Sequence, residues 1–181
     1  IFVFIFANGV IMITTKKGSS GAPKIDFNTA VGFSNILRKI DVLDGNEYRA
    51  ALKQYNLTNG DFGSNVDALD AILRTGLQQN YNLAVSGGNE NGRYRLSAGY
   101  LDQQGIIKES GFKKYSANLS TSYKFLESKK LGLDINLITA HTKTDVAPIS
   151  NDAGFQGSLI GNALQWNPTI PLYKPGTDSI N

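Results

Sequence analysis

The chain has 181 residues, no cysteine and a formal net charge of +3, carried by scattered Lys and Arg residues. This composition excludes disulfides, thiolate metal sites and cysteine nucleophiles within the chain, and the scattered charge gives no nucleic-acid footprint. Only 18% of the residues are charged, below the typical quarter. Sparse charge together with many Ser, Asn, Gly and Tyr residues fits a barrel wall with a polar interior.

The first 23 residues predict one short strand and a linker. Residues 10–15 (VIMITT) form an apolar run that ends at Lys16 and Lys17, and a strand that is apolar on both faces needs cover on both sides. Residues 18–23 (GSSGAP) are typical of a flexible linker. The preceding run 1–6 (IFVFIF) is too short for a membrane helix and lacks the features of a signal peptide. Since the chain does not begin with Met and stops in a polar stretch, we expect a fragment of a longer protein.

Long stretches of alternating apolar and polar residues predict consecutive antiparallel strands. They lie at 24–34, 79–87, 93–103, 112–125 and 131–144. Successive side chains of a strand point to opposite faces, so each strand has one apolar and one polar face. Soluble strands cluster near five or six residues, whereas strands of about ten residues with this alternation suit the wall of a transmembrane β-barrel. A soluble antiparallel sheet with one wet face gives the same alternation and remains the alternative.

The alternation also assigns individual side chains to faces. We expect one set to point outward to lipid and the other to the barrel interior: Leu96, Leu119 and Leu133 outward; Ser97, Asn118 and Asp134 inward. Ile138 is the exception on the polar face of the last strand. A register error of one residue would exchange the two sets.

Two short helices are predicted in the segment 35–78. Asp44 and Glu47 form a start that resembles a capping box, and the next apolar residues share one helix face: Tyr48, Ala51, Leu52 and Tyr55. Ser64 and Asp67 open the second helix, and Gly76 is the expected C-cap. A third, weaker helix near 152–165 ends before Pro168.

Connection lengths predict which segments share a side of the membrane. The short turns at 88–92 and 126–130 lie on one side of the strands. The segments 35–78, 104–111 and that after 145 lie on the other side. Long extracellular loops and short periplasmic turns are typical of outer-membrane barrels. We therefore expect the second group at the cell surface.

No catalytic, metal or cofactor-binding residue is predicted, and the substrate-contacting residues are unknown. His141 lies alone on a strand, and residues 110–113 match SxxK only by letter. Six aromatic residues lie on the apolar faces: Tyr81, Tyr94, Tyr100, Tyr115, Tyr123 and Phe125. Their places near strand ends favour a lipid-interface girdle, with a carbohydrate-stacking stripe as the alternative.

Three stretches resemble the SusC/RagA-like TonB-dependent outer-membrane transporters. Residues 8–18 (NGVIMITTKKG) resemble the end of the plug domain of that family. Residues 80–105, with VSGG before a turn and GYLDQQG after it, resemble its early barrel hairpin, and 162–171 (NALQWNPTIP) resemble a later segment. The run 1–6 departs from the polar, Gly-containing sequence that usually precedes the first motif.

The resemblance implies an all-β fold, part of a plugged barrel of about 22 strands. It implies three parts: 1–18 as the end of the plug, 19–23 as a linker, and 24–181 as the first barrel strands and extracellular loops. It implies a location in the outer membrane of a Gram-negative bacterium of Bacteroidota type.

The activity implied by the resemblance is import of large nutrients, oligosaccharides or peptides, without an enzymatic activity or a cofactor. The implied partners are a SusD-like surface lipoprotein, the TonB–ExbB–ExbD complex and outer-membrane lipid, and no nucleic acid. The alternative function is a soluble β-rich carbohydrate-binding module. An outer-membrane enzyme or a passive porin is a third possibility. The lack of catalytic motifs argues against the enzyme, and the plug-like stretch argues against the porin.

Overall fold

The computed structural model describes residues 16–125, 130–147, 158–174 and 176, and the backbone alone of residues 2–6 and 9–13. The elements, in chain order, are β1 (Phe2–Phe6), β2 (Gly9–Ile13), β3 (Gly21–Ser34), α1 (Gly45–Gln54), α2 (Ala68–Ile72), β4 (Gly76–Gly88), β5 (Gly92–Gln104), β6 (Gly111–Phe125), β7 (Leu131–Asp145) and α3 (Leu159–Gln165). None of the described helices is long and apolar enough to cross a membrane.

β1 and β2 form a small antiparallel sheet, with Phe2 opposite Ile13 and Phe6 opposite Gly9. The sequence predicts a strand at 10–15, and β2 confirms it over its described part; residues 14 and 15 lie outside the described residues. The pairing with β1 was not predicted.

The long strands form one five-stranded sheet in the order β3-β4-β5-β6-β7. All five predicted strands and their sequential pairing are thereby confirmed. β3 and β4 each begin three residues before the predicted start, at Gly21 and Gly76. Pro23 is compatible with the longer β3 because this strand lies at an edge of the described sheet, where a missing N–H breaks no ladder bond.

Side-chain contacts fix which residues lie opposite each other across the sheet. Asn118 of β6 donates to Ser97 of β5 at 3.4 Å, and Ser120 of β6 donates to Asn136 of β7 at 2.8 Å. The predicted turn between β4 and β5 is confirmed: Asn89 N–H donates to Gly92 O at 2.7 Å. Most of the predicted turn at 126–130 lies outside the described residues.

The structure confirms the predicted starts of the first two helices but not the predicted end of α2. Asp44 caps α1 in a full capping box with Glu47, and Asp67 caps α2. The prediction of Gly76 as the C-cap of α2 is wrong, because the helix ends at Ile72 and Leu73 is its C-cap. Leu73 forms a β-bridge with Ile107, and this pairing replaces the next helical turn. α3 is capped by Ser158, and the earlier part of its predicted range lies outside the described residues.

The chain divides into two compact units. The first, the wall unit, comprises Ile1–Val31, Gln79–Asp102 and Lys113–Lys143. The second, the loop unit, comprises Gly32–Gln78, Gln103–Phe112 and Thr144–Asn181, and its described core is Ala68, Leu69 and Ala163.

Candidate functional site

The apolar face of the wall unit carries a row of rings, one from each of four neighbouring strands. Ring centroids are 6.4 Å apart for Tyr81 and Tyr100, 4.9 Å for Tyr100 and Tyr115, and 6.4 Å for Tyr115 and His141. The Tyr100 hydroxyl donates to Asp102 at 2.9 Å, and Lys113 lies 3.3 Å from the same carboxylate. This row therefore separates an apolar surface from an ion pair.

A second aromatic group lies nearer the other end of the strands. Tyr123 and Phe125 have ring centroids 4.7 Å apart, and the Tyr123 ring covers Gly92, where a β-carbon would lie 2.6 Å from the ring. From Tyr115 to Tyr123 β6 covers about 27 Å at about 3.4 Å per residue. With a strand tilt of about 35–45° this is a height of about 19–22 Å, close to the roughly 25 Å apolar band of outer-membrane barrels.

Exposed aliphatic side chains fill the surface between the two aromatic groups. The exposed fraction is 50% for Leu96, 47% for Leu133 and 59% for Leu137. This surface is apolar and open, which is the property that a lipid-facing wall requires.

The opposite face of the sheet is polar and hydrogen-bonded across strands. Ser97, Asn118, Ser120 and Asn136 interact in pairs on this face, as the alternation predicts. Asp134 borders a small pocket with Ser120 and Asn136, and so lies on the same side. Ile138 borders a second pocket with Asn136 and Ser97, which confirms it as the apolar exception; Leu119, between Asn118 and Ser120, also borders that pocket.

The segment before β3 lies against this polar face. A β-carbon on Gly18 would overlap the carbonyl oxygen of Tyr94 and lie 2.8 Å from its amide nitrogen, so only glycine allows this approach of the two backbones. Lys16 and Lys17 border the two polar-face pockets. The chain that precedes the wall is therefore seated on the polar face.

A fully buried threonine holds the loop unit together. Thr169 has 0% exposure; its hydroxyl accepts from the Phe62 N–H at 3.0 Å and lies 2.7 Å from Asn167 Oδ1 and 3.0 Å from the Gly60 carbonyl, both acceptors. Asn167 Nδ2 also donates to that carbonyl, at 2.8 Å. The Ser64 N–H donates to Thr169 O at 2.9 Å. The Asn-Pro-Thr motif at 167–169 thus joins the segment after β7 to the segment between β3 and β4 through hydrogen bonds.

Ion pairs tie the remaining parts of the loop unit. Arg49 Nε donates to Asp61 at 3.0 Å, and this hydrogen bond holds the pKa of Asp61 below its usual range. Lys39 lies 2.5 Å from Asp70 and 3.5 Å from Asp67. The Lys39–Asp70 hydrogen bond raises the pKa of Lys39 and lowers that of Asp70.

The short segment between β5 and β6 joins the same unit. Arg74 donates to the carbonyls of Gly105 at 3.0 Å and Ser110 at 2.7 Å, and Lys108 Nζ donates to Ala71 O at 2.6 Å. The segments 35–78, 104–111 and that after 145, which the sequence places on one side, therefore pack together. Sequence patterns do not reveal the part played by Asn167 and Thr169, because a hydrogen bond between distant segments has no periodicity.

The residues that the sequence considers for chemistry are not assembled into a catalytic site. His141 belongs to the aromatic row. Ser110 donates to Ile107 O at 2.7 Å, whereas Lys113 pairs with Asp102, so the SxxK letters form no nucleophile–base pair. Within the described ranges, no group of three or more His, Cys, Asp or Glu residues is placed to hold a metal ion.

Known proteins provide the decisive comparison. The chain is 38% identical over 172 residues to the TonB-dependent receptor SusC of Bacteroides thetaiotaomicron, covering 93% of this chain and 16% of SusC. It is 32% identical over 177 residues to the TonB-dependent receptor P3 of Formosa agariphila, covering 97% of this chain and 18% of P3. No protein-family model matches the chain.

The chain belongs to the SusC/RagA-like TonB-dependent receptors. Solved structures of RagAB share the fold: the 'closed-closed' state of the RagAB peptide importer matches with a TM-score of 0.67 at 21% identity, covering 92% of this chain and 23% of that chain. The 'open-open' state matches with a TM-score of 0.64 at 24% identity, covering 82% of this chain and 21% of that chain. The SusC/RagA-like receptors are outer-membrane proteins of Bacteroidota, and the antiparallel sheet β3–β7 fits the fold of their β-barrel. The chain spans about a sixth of the length of SusC.

Proposed function

We propose that this receptor segment belongs to an energised importer of large nutrients, oligosaccharides or peptides, and not to an enzyme. The observation that carries the proposal is the seating of residues 16–18 on the polar face of the wall. A passive pore needs no chain segment against its inner face, whereas a plugged transporter does. The names of the relatives, receptors and a peptide importer, support the same reading.

The proposal assigns three parts to the chain. Residues 1–18 are the end of the plug, 19–23 the linker, and 24–181 the first barrel strands with their extracellular loops. Because β3 already begins at Gly21, the free part of the linker is Ser19 and Ser20. Such a short tether keeps the end of the plug beside the wall.

The proposed partners follow from the relatives. A SusD-like lipoprotein covers the barrel from outside, and the TonB–ExbB–ExbD complex supplies energy through parts of the receptor beyond this segment. The matched solved structures are named for the RagAB peptide importer, which supports an import function for the assembly. The loop unit is the proposed extracellular surface of the segment.

The soluble carbohydrate-binding module is the less favoured function. It requires a second sheet over the apolar face, yet the described side chains of that face are open, with Phe27 62% and Leu137 59% exposed.

Cysteine labelling of intact cells tests the orientation. In the full-length receptor, Asn59→Cys lies in the loop unit and Asn91→Cys in the turn between β4 and β5, and both positions are exposed. We expect a membrane-impermeant maleimide to label position 59 and not 91, with the unsubstituted receptor as the blank and permeabilised cells labelled at both. Labelling at 91 alone would reverse the topology.

Uptake measurements test the activity. Cells that lack the receptor should stop accumulating one class of labelled oligosaccharide or peptide, and a protonophore should stop accumulation by wild-type cells. Uptake that resists the protonophore would contradict an energised importer.

A further inference from the structure

A pocket of about 280 Å³ lies on the polar face of the wall unit, between the strands and the segment before β3. The cationic Lys16 and Arg95 line it, together with hydroxyl and amide residues and the apolar Leu119 and Ile138. None of the described residues that line it is acidic. A pocket rich in donors and poor in negative charge suits an anion. We propose that this pocket binds a carboxylate group.

The hydrogen bonds already formed around the pocket leave donors available. Asn118 Nδ2 donates to the Ser97 oxygen at 3.4 Å, so the Ser97 hydroxyl hydrogen is left to donate. Ser120 donates to Asn136 Oδ1 at 2.8 Å, which leaves the two N–H groups of Asn136. The neutral side chains therefore contribute donors to a bound anion.

Arg95 is the strongest of these donors. Its side chain is only 21% exposed, and its carboxylate contact among the described residues is Asp26 at 3.9 Å, longer than a hydrogen bond. A guanidinium that is largely removed from water gains from a hydrogen-bonded anion, and its planar fork matches the two oxygens of a carboxylate.

A neighbouring pocket of about 170 Å³ adds to the positive potential. Lys17 and Arg93 line it, with Asp134 as the acidic member. Counted with Asp26 and its neighbour Lys24, the described residues on this part of the polar face include two acids and five cations. The excess of positive charge favours anions over neutral or cationic groups.

Gly18 places the two lysines. Because its backbone approaches that of Tyr94 closely enough to exclude a β-carbon, Lys16 and Lys17 are held over β5 and its neighbours. A side chain at position 18 would displace the segment and open the pocket.

Two sources can supply the carboxylate. One is a solute in the barrel, such as a peptide C-terminus or an acidic sugar, and this source rests on the proposed import function. The other is an acidic side chain from the remainder of the receptor. The chemistry is the same in both cases, and the experiment separates them.

Calorimetry on the full-length receptor in detergent tests the pocket, with glutarate as the anionic probe and glutaramide as its neutral control. We expect glutarate to bind, and Arg95→Gln or Lys16→Gln to weaken its binding about tenfold or more, because a hydrogen bond to a charged group is lost. Arg38→Gln, an exposed arginine of the loop unit, should leave binding unchanged. Gly18→Ala should also weaken binding, whereas Gly32→Ala, which has open space around it, should not.

The thermal midpoint of the same variants identifies an internal occupant. If an acidic side chain of the receptor fills the pocket, glutarate does not bind, and Lys16→Gln lowers the midpoint more than Arg38→Gln. Glutarate binding that survives both pocket variants would overturn the proposal, as would the absence of both glutarate binding and a midpoint difference. A wild-type receptor that binds glutarate but supports no uptake would contradict the import function and not the pocket.

Discussion

The wall unit and the loop unit are stabilised in different ways. Along β7 every residue from Leu131 to Asp145 is exposed, and this strand is ordered by its backbone pairing with β6. In the loop unit Thr169 has no exposed surface and joins segments more than a hundred positions apart in sequence. The wall thus has large apolar areas without protein cover, whereas the loop unit is held together by its own hydrogen bonds and ion pairs.

The two units differ in the environment that each needs to be stable. An open apolar face and unpaired sheet edges are unfavourable in water, so the wall depends on lipid and on the other strands of the barrel. The loop unit satisfies its buried polar groups internally: among the described residues no buried side-chain nitrogen or oxygen lacks a hydrogen-bond partner. Substitutions in the two units should therefore respond to different changes of environment.

The largest expected effect comes from a charge on the lipid face. Leu137 and Ile138 are neighbours with almost equal exposure, 59% and 61%, but they lie on opposite faces of β7. Leu137→Arg should reduce the free energy of unfolding of the full-length receptor in lipid vesicles by about 2–4 kcal/mol near the bilayer midplane. Ile138→Arg should cost much less, because its face is polar. Denaturant titration measures both, and equal costs would mean that the faces are assigned wrongly.

Removal of the Thr169 hydroxyl should loosen the loop unit and leave the wall intact. Thr169→Val keeps the shape but leaves the partly buried Phe62 N–H without its acceptor, at a cost of about 1–3 kcal/mol. Hydrogen exchange by mass spectrometry should show faster exchange across residues 57–66 and no change in β5 or β6. Thr58→Val, at an exposed position, is the control. Faster exchange in the wall strands would contradict the independence of the two units.

The cap of α1 should have a smaller, local effect. Asp44 accepts from the N–H groups of Asn46 and Glu47 at 2.8 Å each. Asp44→Ala should therefore destabilise α1 by about 0.5–2 kcal/mol, seen as faster exchange of residues 45–54. Asp41→Ala removes a nearby exposed carboxylate without removing the cap, and should leave exchange of α1 unchanged.

The ion pair of Lys39 should give the smallest effect, because exposed pairs contribute little. The raised pKa of Lys39 means that its stabilising contribution is complete below the ordinary value of 10.5 and is lost as pH rises through the higher folded value. The lowered pKa of Asp70 means that its contribution is present above the ordinary 3.8 and is lost as pH falls through the lower folded value. The pair is therefore intact between these limits.

Competitive acylation at pH 9 measures this pair. Lys39 should react more slowly in the wild-type receptor than in Asp70→Asn, because the carboxylate keeps less of the lysine neutral. Lys53 of α1 should react at the same rate in both and is the control. An unchanged rate in Asp70→Asn would show that the carboxylate does not hold the lysine.

Local patterns in the sequence determined most of the wall. The period-two alternation placed all five long strands, their order and the polar set Ser97, Asn118 and Asp134, because the pleat forces neighbouring side chains to opposite faces. The capping box at Asp44 was equally readable, since its hydrogen bonds join residues within one helical turn. The motifs at 8–18, 80–105 and 162–171 were sufficient to identify the family.

The tertiary structure decided what depends on contacts between distant segments. The end of α2 was mispredicted because Leu73 pairs with Ile107 in place of another helical turn. The hydrogen bond from Asn167 to the Gly60 carbonyl spans 107 positions, and the approach of Gly18 to Tyr94 joins the segment before β3 to β5. Such contacts arise from the way the backbone brings segments together, so they have no period or spacing by which the sequence alone could reveal them.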